Sequence, residues 1–169
     1  MKGFFYSFVL IILILAELLF VPFFRFFGVR FNLILVSILI WFVLNGLKQS
    51  LIWLIFGGII LDIFSPLPFG VIVLSLFCSL SIIYFLSVKV FSQKNLGAIA
   101  LIIIIGSLIY NLLLIFWTKI FVLLHIASIN VDLIPNFYFI LLTVAYNLVL
   151  SFFVYRILKR CVARLPVAT

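Results

Sequence analysis

Hydrophobic residues in this chain come in runs about as long as a bilayer is thick, and the polar ones collect in the gaps between runs. A hydrocarbon core about 30 Å thick needs roughly 20 consecutive apolar residues per helix, with a range of about 17–25. Phe4 to Phe24 is one such run, framed by Lys2 and Arg25, and Phe31 to Leu47 is a second, closed by Asn45, Gly46 and Lys48. Leu51 to Phe64 ends at Ser65-Pro66-Leu67-Pro68, whose prolines cannot continue a helix. Phe69 to Val88, Leu96 to Thr118 and Phe137 to Leu158 follow. The third run is short for a span, so it requires Lys48 and Gln49 to snorkel or a locally thin bilayer. The pattern predicts an all-α, polytopic membrane helical bundle of about six transmembrane helices, forming one integral membrane domain over residues 1–169. A single bent element over Leu51 to Val88 would instead give five spans, with the termini on opposite faces.

Composition agrees with lipid as the main solvent. The 169 residues are 69% hydrophobic and 8% charged, with a mean hydropathy of +1.60, whereas a soluble domain averages about 45–50% apolar and about 25% charged. The 11 Lys and Arg against 3 Asp and Glu leave a net charge of +8. In a soluble protein that balance would suggest nucleic-acid binding. Here the basic residues lie between apolar runs, and no nucleic-acid partner is expected. Cys78 and Cys161, one in an apolar run and one in a basic tail, read as ordinary thiols.

The charge also supplies a direction, because Lys and Arg are retained on the cytoplasmic side. With six spans and a cytoplasmic N-terminus, eight of the 11 basic residues fall inside: Lys2, Lys48, Lys89, Lys94, Arg156, Lys159, Arg160 and Arg164. Arg25, Arg30 and Lys119 fall outside. Both termini are therefore expected in the cytoplasm, in the bacterial cytoplasmic (inner) membrane. The first run should stay attached as a signal anchor, since it exceeds the usual apolar stretch of about 7–15 residues and Val21-Pro22-Phe23-Phe24-Arg25 is too bulky for cleavage. The basic tail after Tyr155 reads as a topology signal; it could also grip anionic lipid or a cytoplasmic partner at about 1 kcal/mol per basic residue.

Ionisable and amide groups inside spans are costly unless paired, so each marks a candidate site. Glu17 sits near the outer end of the first span, Asn111 at a similar depth in the fifth, and Asn147 deeper in the sixth. Asp62 closes the third span on the outer side, where Arg25 and Arg30 also lie, and an Asp62–Arg30 ion pair would pin the third helix to the start of the second. Such pairs usually serve packing and register. Tyr110-Asn111-Leu112-Leu113-Leu114-Ile115-Phe116 echoes Tyr146-Asn147-Leu148-Val149-Leu150-Ser151-Phe152. In a hairpin of the last two spans the two asparagines could hydrogen-bond to one another, worth about 0.6–2 kcal/mol. Ser75, Cys78, Ser79 and Ser81 make a small-residue stripe on the fourth span, and Gly57-Gly58 thins the third, both signals of close helix approach.

Little else carries chemistry. The lone His125 has no partners for a metal. There is no nucleophile elbow, phosphate-binding glycine loop or His-Glu-x-x-His helix, so no enzyme activity, metal or cofactor is expected. Asp62 and Asp132 fall on one side and could share a proton as aspartic peptidases do. Lipoprotein signal peptidases have such a pair, but they have four spans and Asn- and Ala-rich flanks that this chain lacks.

The segment Val29 to Leu76 resembles the rod shape-determining protein MreD family. The resemblance rests on Arg30-Phe31-Asn32 at the start of the second span, then Gly58-Ile59-Ile60-Leu61-Asp62-Ile63-Phe64-Ser65, and Gly70 eight residues after the aspartate. Family members commonly have Pro at the position of Phe31 and a further Gly at that of Leu54. Length, hydropathy and the basic C-terminus agree along the whole chain. The resemblance implies a non-enzymatic membrane scaffold of the bacterial cell-elongation (rod) complex. It would dock an MreC-like bitopic protein, with MreB, a RodA-type glycosyltransferase and a class B penicillin-binding protein in the same complex. Candidate structural or partner-binding residues are then Arg30, Asn32, Gly58, Asp62 and Gly70, with Glu17, Asn111 and Asn147. The alternative is a substrate-binding membrane subunit of an energy-coupling vitamin transporter, similar in size and span number, whose outer-half cavity would use Glu17, Asp62, Asn111 and Asn147. Those subunits usually dock through a small-residue stripe on the first span, where this chain has only Ser7 and Ala16, not so spaced. The ion pair predicts that Asp62→Asn and Arg30→Gln each lower the folded membrane pool; normal accumulation and function of both variants would exclude it.

Overall fold

The computed structural model describes residues 2–19, 31–90, 96–125 and 137–163, and among these every regular element is an α-helix. The helices are α1 (Lys2–Leu19), α2 (Leu33–Asn45), α3 (Leu47–Ile63), α4 (Val71–Val90), α5 (Leu96–Leu123) and α6 (Phe137–Ala163). They fall on the six apolar runs of the sequence. Two stretches, Leu96–Leu123 and Phe137–Val162, are long and apolar enough to cross a membrane; the apolar stretches Tyr6–Leu19, Leu33–Asn45 and Val71–Ser87 are shorter. α5 continues past the expected end at Thr118 to Leu123, which moves Asn111 toward the middle of that helix.

The shortest helix is at the centre. α2 packs against α1, α3, α5 and α6, while α4 bridges α3 and α5. The nine consecutive residues Leu33 to Trp41 are all buried. A helix apolar on every side has no water-facing stripe and must be surrounded, and α2 with its 13 residues covers only about 20 Å. Gly46, at φ +84°, alone separates it from α3. A left-handed backbone of this kind is open to glycine and strained for most other residues, so Gly46 turns one helix directly into the next.

Small residues set how near the neighbours come. On α3 the adjacent Gly57 and Gly58 face opposite ways: a Cβ on Gly57 would stand 3.2 Å from the Ile34 side chain of α2, and one on Gly58 would stand 3.0 Å from the Val73 side chain of α4. α3 is thus a thin wedge between two helices. On α5 a Cβ at Gly106 would come within 2.6 Å of Leu39, and the Gly106 carbonyl accepts a hydrogen bond from the Ser79 hydroxyl of α4 at 3.0 Å. Farther along, Trp41 stacks on Trp53 with ring centroids 4.1 Å apart, and Tyr6 of α1 meets Trp41 edge-on. The outward faces are apolar in turn: Phe8, Ile11 and Leu15 on α1, Ile55 and Phe56 on α3, and Phe152 and Phe153 on α6 are all exposed. A surface of that composition suits a lipid environment, because soluble monomers rarely present contiguous apolar patches on this scale.

The wedge geometry predicts that Gly58→Leu forces α3 and α4 apart at a cost of about 1–3 kcal/mol, lowering the thermal unfolding midpoint of the detergent-purified protein. Gly97→Leu, at a position where a Cβ meets nothing within 4 Å, leaves that midpoint unchanged in the same measurement.

Candidate functional site

A helix start leaves its first four N–H groups without intrahelical partners, and where that start is buried they need partners from the protein. The buried polar residues of this chain answer that requirement at two helix starts. At α2, the Glu17 carboxylate of α1 accepts from the Leu33 N–H at 2.6 Å and from the Ile34 N–H at 3.3 Å, through the same oxygen. The Asn32 side chain, at the N-cap, accepts from the Leu35 N–H at 2.8 Å. The Asn32 N–H in turn donates to the side-chain oxygen of Asn147, on α6, at 2.8 Å. The Val36 N–H then donates to the Asn32 carbonyl and opens the regular ladder. Every donor from residue 32 to 36 therefore has a partner, drawn from two other helices, α1 and α6, and from the cap.

A second layer steadies the first. The Asn147 amide nitrogen donates to the Ser107 hydroxyl of α5 at 3.1 Å, and the Asn111 amide nitrogen donates to the Ser107 carbonyl at 2.7 Å. The buried phenol of Tyr110 is hydrogen-bonded to the Asn32 side chain. Asn147 is ten residues from the start of α6, and Ser107 is 11 residues from the start of the antiparallel α5. At about 1.5 Å per residue the cluster lies roughly 15 Å along each, near the middle of the two longest helices.

The start of α4 is held in the same manner. The two oxygens of Asp62, at the end of α3, accept from the Ile72 N–H at 2.9 Å and the Val73 N–H at 3.0 Å. The Val71 N–H donates to the Pro68 carbonyl and the Leu74 N–H to the Gly70 carbonyl. Gly70, at φ +96°, makes the sharp turn that aims α4 back at Asp62. A carboxylate at a helix N-terminus is also favoured by the positive end of the helix dipole.

The structure thus brings Glu17, Asn32, Asn111 and Asn147 into one cluster and Asp62 with Gly70 into another, while Gly58 lies between α3 and α4. One expectation is corrected: Asn111 and Asn147 do not bond to each other. Both turn to Ser107 instead, one to its carbonyl along its own helix and one to its hydroxyl across the interface. Arg30 and Asp132 lie outside the described residues; within them, Asp62 ties α3 to α4. Ser107 and Tyr110 were not singled out from sequence, although Ser107 stands one helical turn before Asn111 and Tyr110 opens the repeated Tyr-Asn motif. No group of three or more His, Cys, Asp and Glu comes together among the described residues. No family model, curated protein or solved structure matches the chain.

Removing a partner from a buried donor costs more than the bond itself contributes, about 1–3 kcal/mol per group. Glu17→Ala is therefore expected to destabilise the detergent-solubilised protein by about 3 kcal/mol and Asn147→Leu by about 2 kcal/mol. Glu17→Gln keeps an acceptor oxygen and loses roughly half as much as Glu17→Ala. Ser107→Ala, which touches only the second layer, costs about 1 kcal/mol or less. Denaturant titration followed by tryptophan fluorescence gives the order, and equal stability of Glu17→Ala and wild type would remove Glu17 from the α2 start.

Proposed function

We propose that the chain is a non-enzymatic, multi-pass scaffold of the bacterial cytoplasmic membrane, belonging to the cell-elongation machinery that the MreD-like residues suggest. In this reading all six helices cross or enter the bilayer, both termini are cytoplasmic, and the starts of α2 and α4 face the outer half. The observation that carries it is the use made of the buried polar groups. Glu17, Asp62, Asn32 and Asn147 each bind backbone N–H groups. A chain that spends both of its described carboxylates on helix starts offers other proteins mainly the shape of its lipid-facing helices. It would act by docking an MreC-like bitopic protein and, through it, the MreB filament and the RodA-type glycosyltransferase with its class B penicillin-binding partner.

The transporter alternative draws on the same residues as ligand contacts. Asn111 binds the Ser107 carbonyl, and the other three are committed to helix starts, so a captured vitamin would have to displace bonds the fold needs. That weighs for the scaffold.

Expression of the chain in a rod-shaped bacterium depleted of its own MreD-family protein tests the proposal. Restored rods, together with co-purification of an MreC-like protein, are the expected result. Round cells at normal chain levels, or rescue of vitamin uptake in a transporter-deficient strain, would overturn it.

A further inference from the structure

Near its C-terminal end α6 carries three exposed cations, Arg156, Lys159 and Arg160. Their i, i+3 and i+4 spacing puts them on one side of the helix. The Arg156 guanidinium lies 4.3 Å from the centroid of the Phe152 ring and the Lys159 ammonium 5.5 Å from that of Tyr155. Each ring is one turn earlier, so both cations fold back toward the apolar stretch instead of reaching beyond the end of the helix. Counted from Phe137, about 20 residues at 1.5 Å cover the hydrocarbon core, which brings Arg156 to the depth where acyl chains give way to headgroups. The face above the cations is apolar and open: Val149 is 62% exposed, Phe152 50% and Phe153 61%.

Among the described residues no anion is supplied to this face. Among the described residues the carboxylates are Glu17 and Asp62, and both accept N–H groups at the starts of α2 and α4. Asn147, which marks the start of α2, lies about 13 Å back along α6 from Arg156.

We propose that this face of α6 is a binding site for an anionic phospholipid. Arg156, Lys159 and Arg160 take phosphodiester oxygens, and Val149, Phe152 and Phe153 lie along the acyl chains. Lipid fits better than an acidic protein segment because the cations sit back at the level of the last apolar turns, where lipid phosphates are and where a cytoplasmic chain would have to enter the headgroup layer. The proposal rests on α6 crossing a membrane and is independent of any role in cell elongation.

The full-length protein, purified in neutral detergent, is mixed with equal amounts of phosphatidylglycerol and phosphatidylcholine, and bound lipid is counted by native mass spectrometry. Wild type should retain phosphatidylglycerol over phosphatidylcholine by about tenfold or more, with the preference falling as salt rises. The triple variant Arg156→Gln, Lys159→Gln, Arg160→Gln should lose that preference while keeping the helical circular dichroism of wild type. Should the triple variant fail to fold, Arg160→Gln alone should lower the preference severalfold. Glycerol 3-phosphate in excess should leave the lipid bound; displacement would assign the cations to soluble phosphate esters. An oligo-glutamate peptide that outcompetes phosphatidylglycerol would assign them to an acidic protein. Equal retention of the two lipids by wild type, or an undiminished preference in the variants, would also overturn the proposal.

Discussion

The start of α2 is the constraint on which the rest of this bundle depends. A helix that begins inside a packed bundle exposes four N–H groups where each unmet donor costs about 1–3 kcal/mol. Here α1 brings Glu17, α6 brings Asn147, and the cap residue Asn32 supplies the remaining acceptor. These bonds fix where α1 ends relative to α2 and how far α6 slides along it. The burial of Leu33 to Trp41 then follows, because a helix whose first turn is gripped from two sides has little choice but to run down the axis between its neighbours.

The start of α4 meets the same requirement with different means. Its cap, Asp62, comes from the helix immediately before it, and the intervening Ser65-Pro66-Leu67-Pro68-Phe69-Gly70 turn delivers α4 to that carboxylate. This closure is local, ten residues from acceptor to donor, whereas the one at α2 joins elements at opposite ends of the chain. The pairing of Asp62 with Gly70 eight residues later thus has a physical reading independent of any family: one residue receives the helix start and the other bends the chain so that it arrives. The two glycines of α3 complete the arrangement by letting Ile34 and Val73 approach from either side.

The helices were legible in the sequence because an apolar run bounded by polar residues, glycine or proline is a one-dimensional signal. The polar exceptions Glu17, Asp62, Asn111 and Asn147 were legible for the same reason, standing out against that background. Their partners were not, since what Glu17 and Asp62 bind is backbone, and a backbone N–H has no letter in the sequence. Helix rotation was also hidden: α2 is apolar all round, so no periodicity says which side meets α6. The Tyr-Asn echo suggested a symmetric pair of asparagines, yet the helices are rotated so that Ser107 stands between them. Gly57 and Gly58 were visible as small, but only the packed structure shows that they serve different neighbours.

The bond from the Asn32 N–H to Asn147 spans 115 residues of chain, and this gives the molecule an order in time. As the polypeptide emerges from the ribosome, α2 is the second helix made, but one of its donors cannot be met until the last helix has been synthesised. For most of its synthesis the chain thus carries an unfinished helix start. Whatever meets that donor before α6 arrives must be released when Asn147 takes its place. Completion of the sixth helix is in this sense the event that closes the start of the second one.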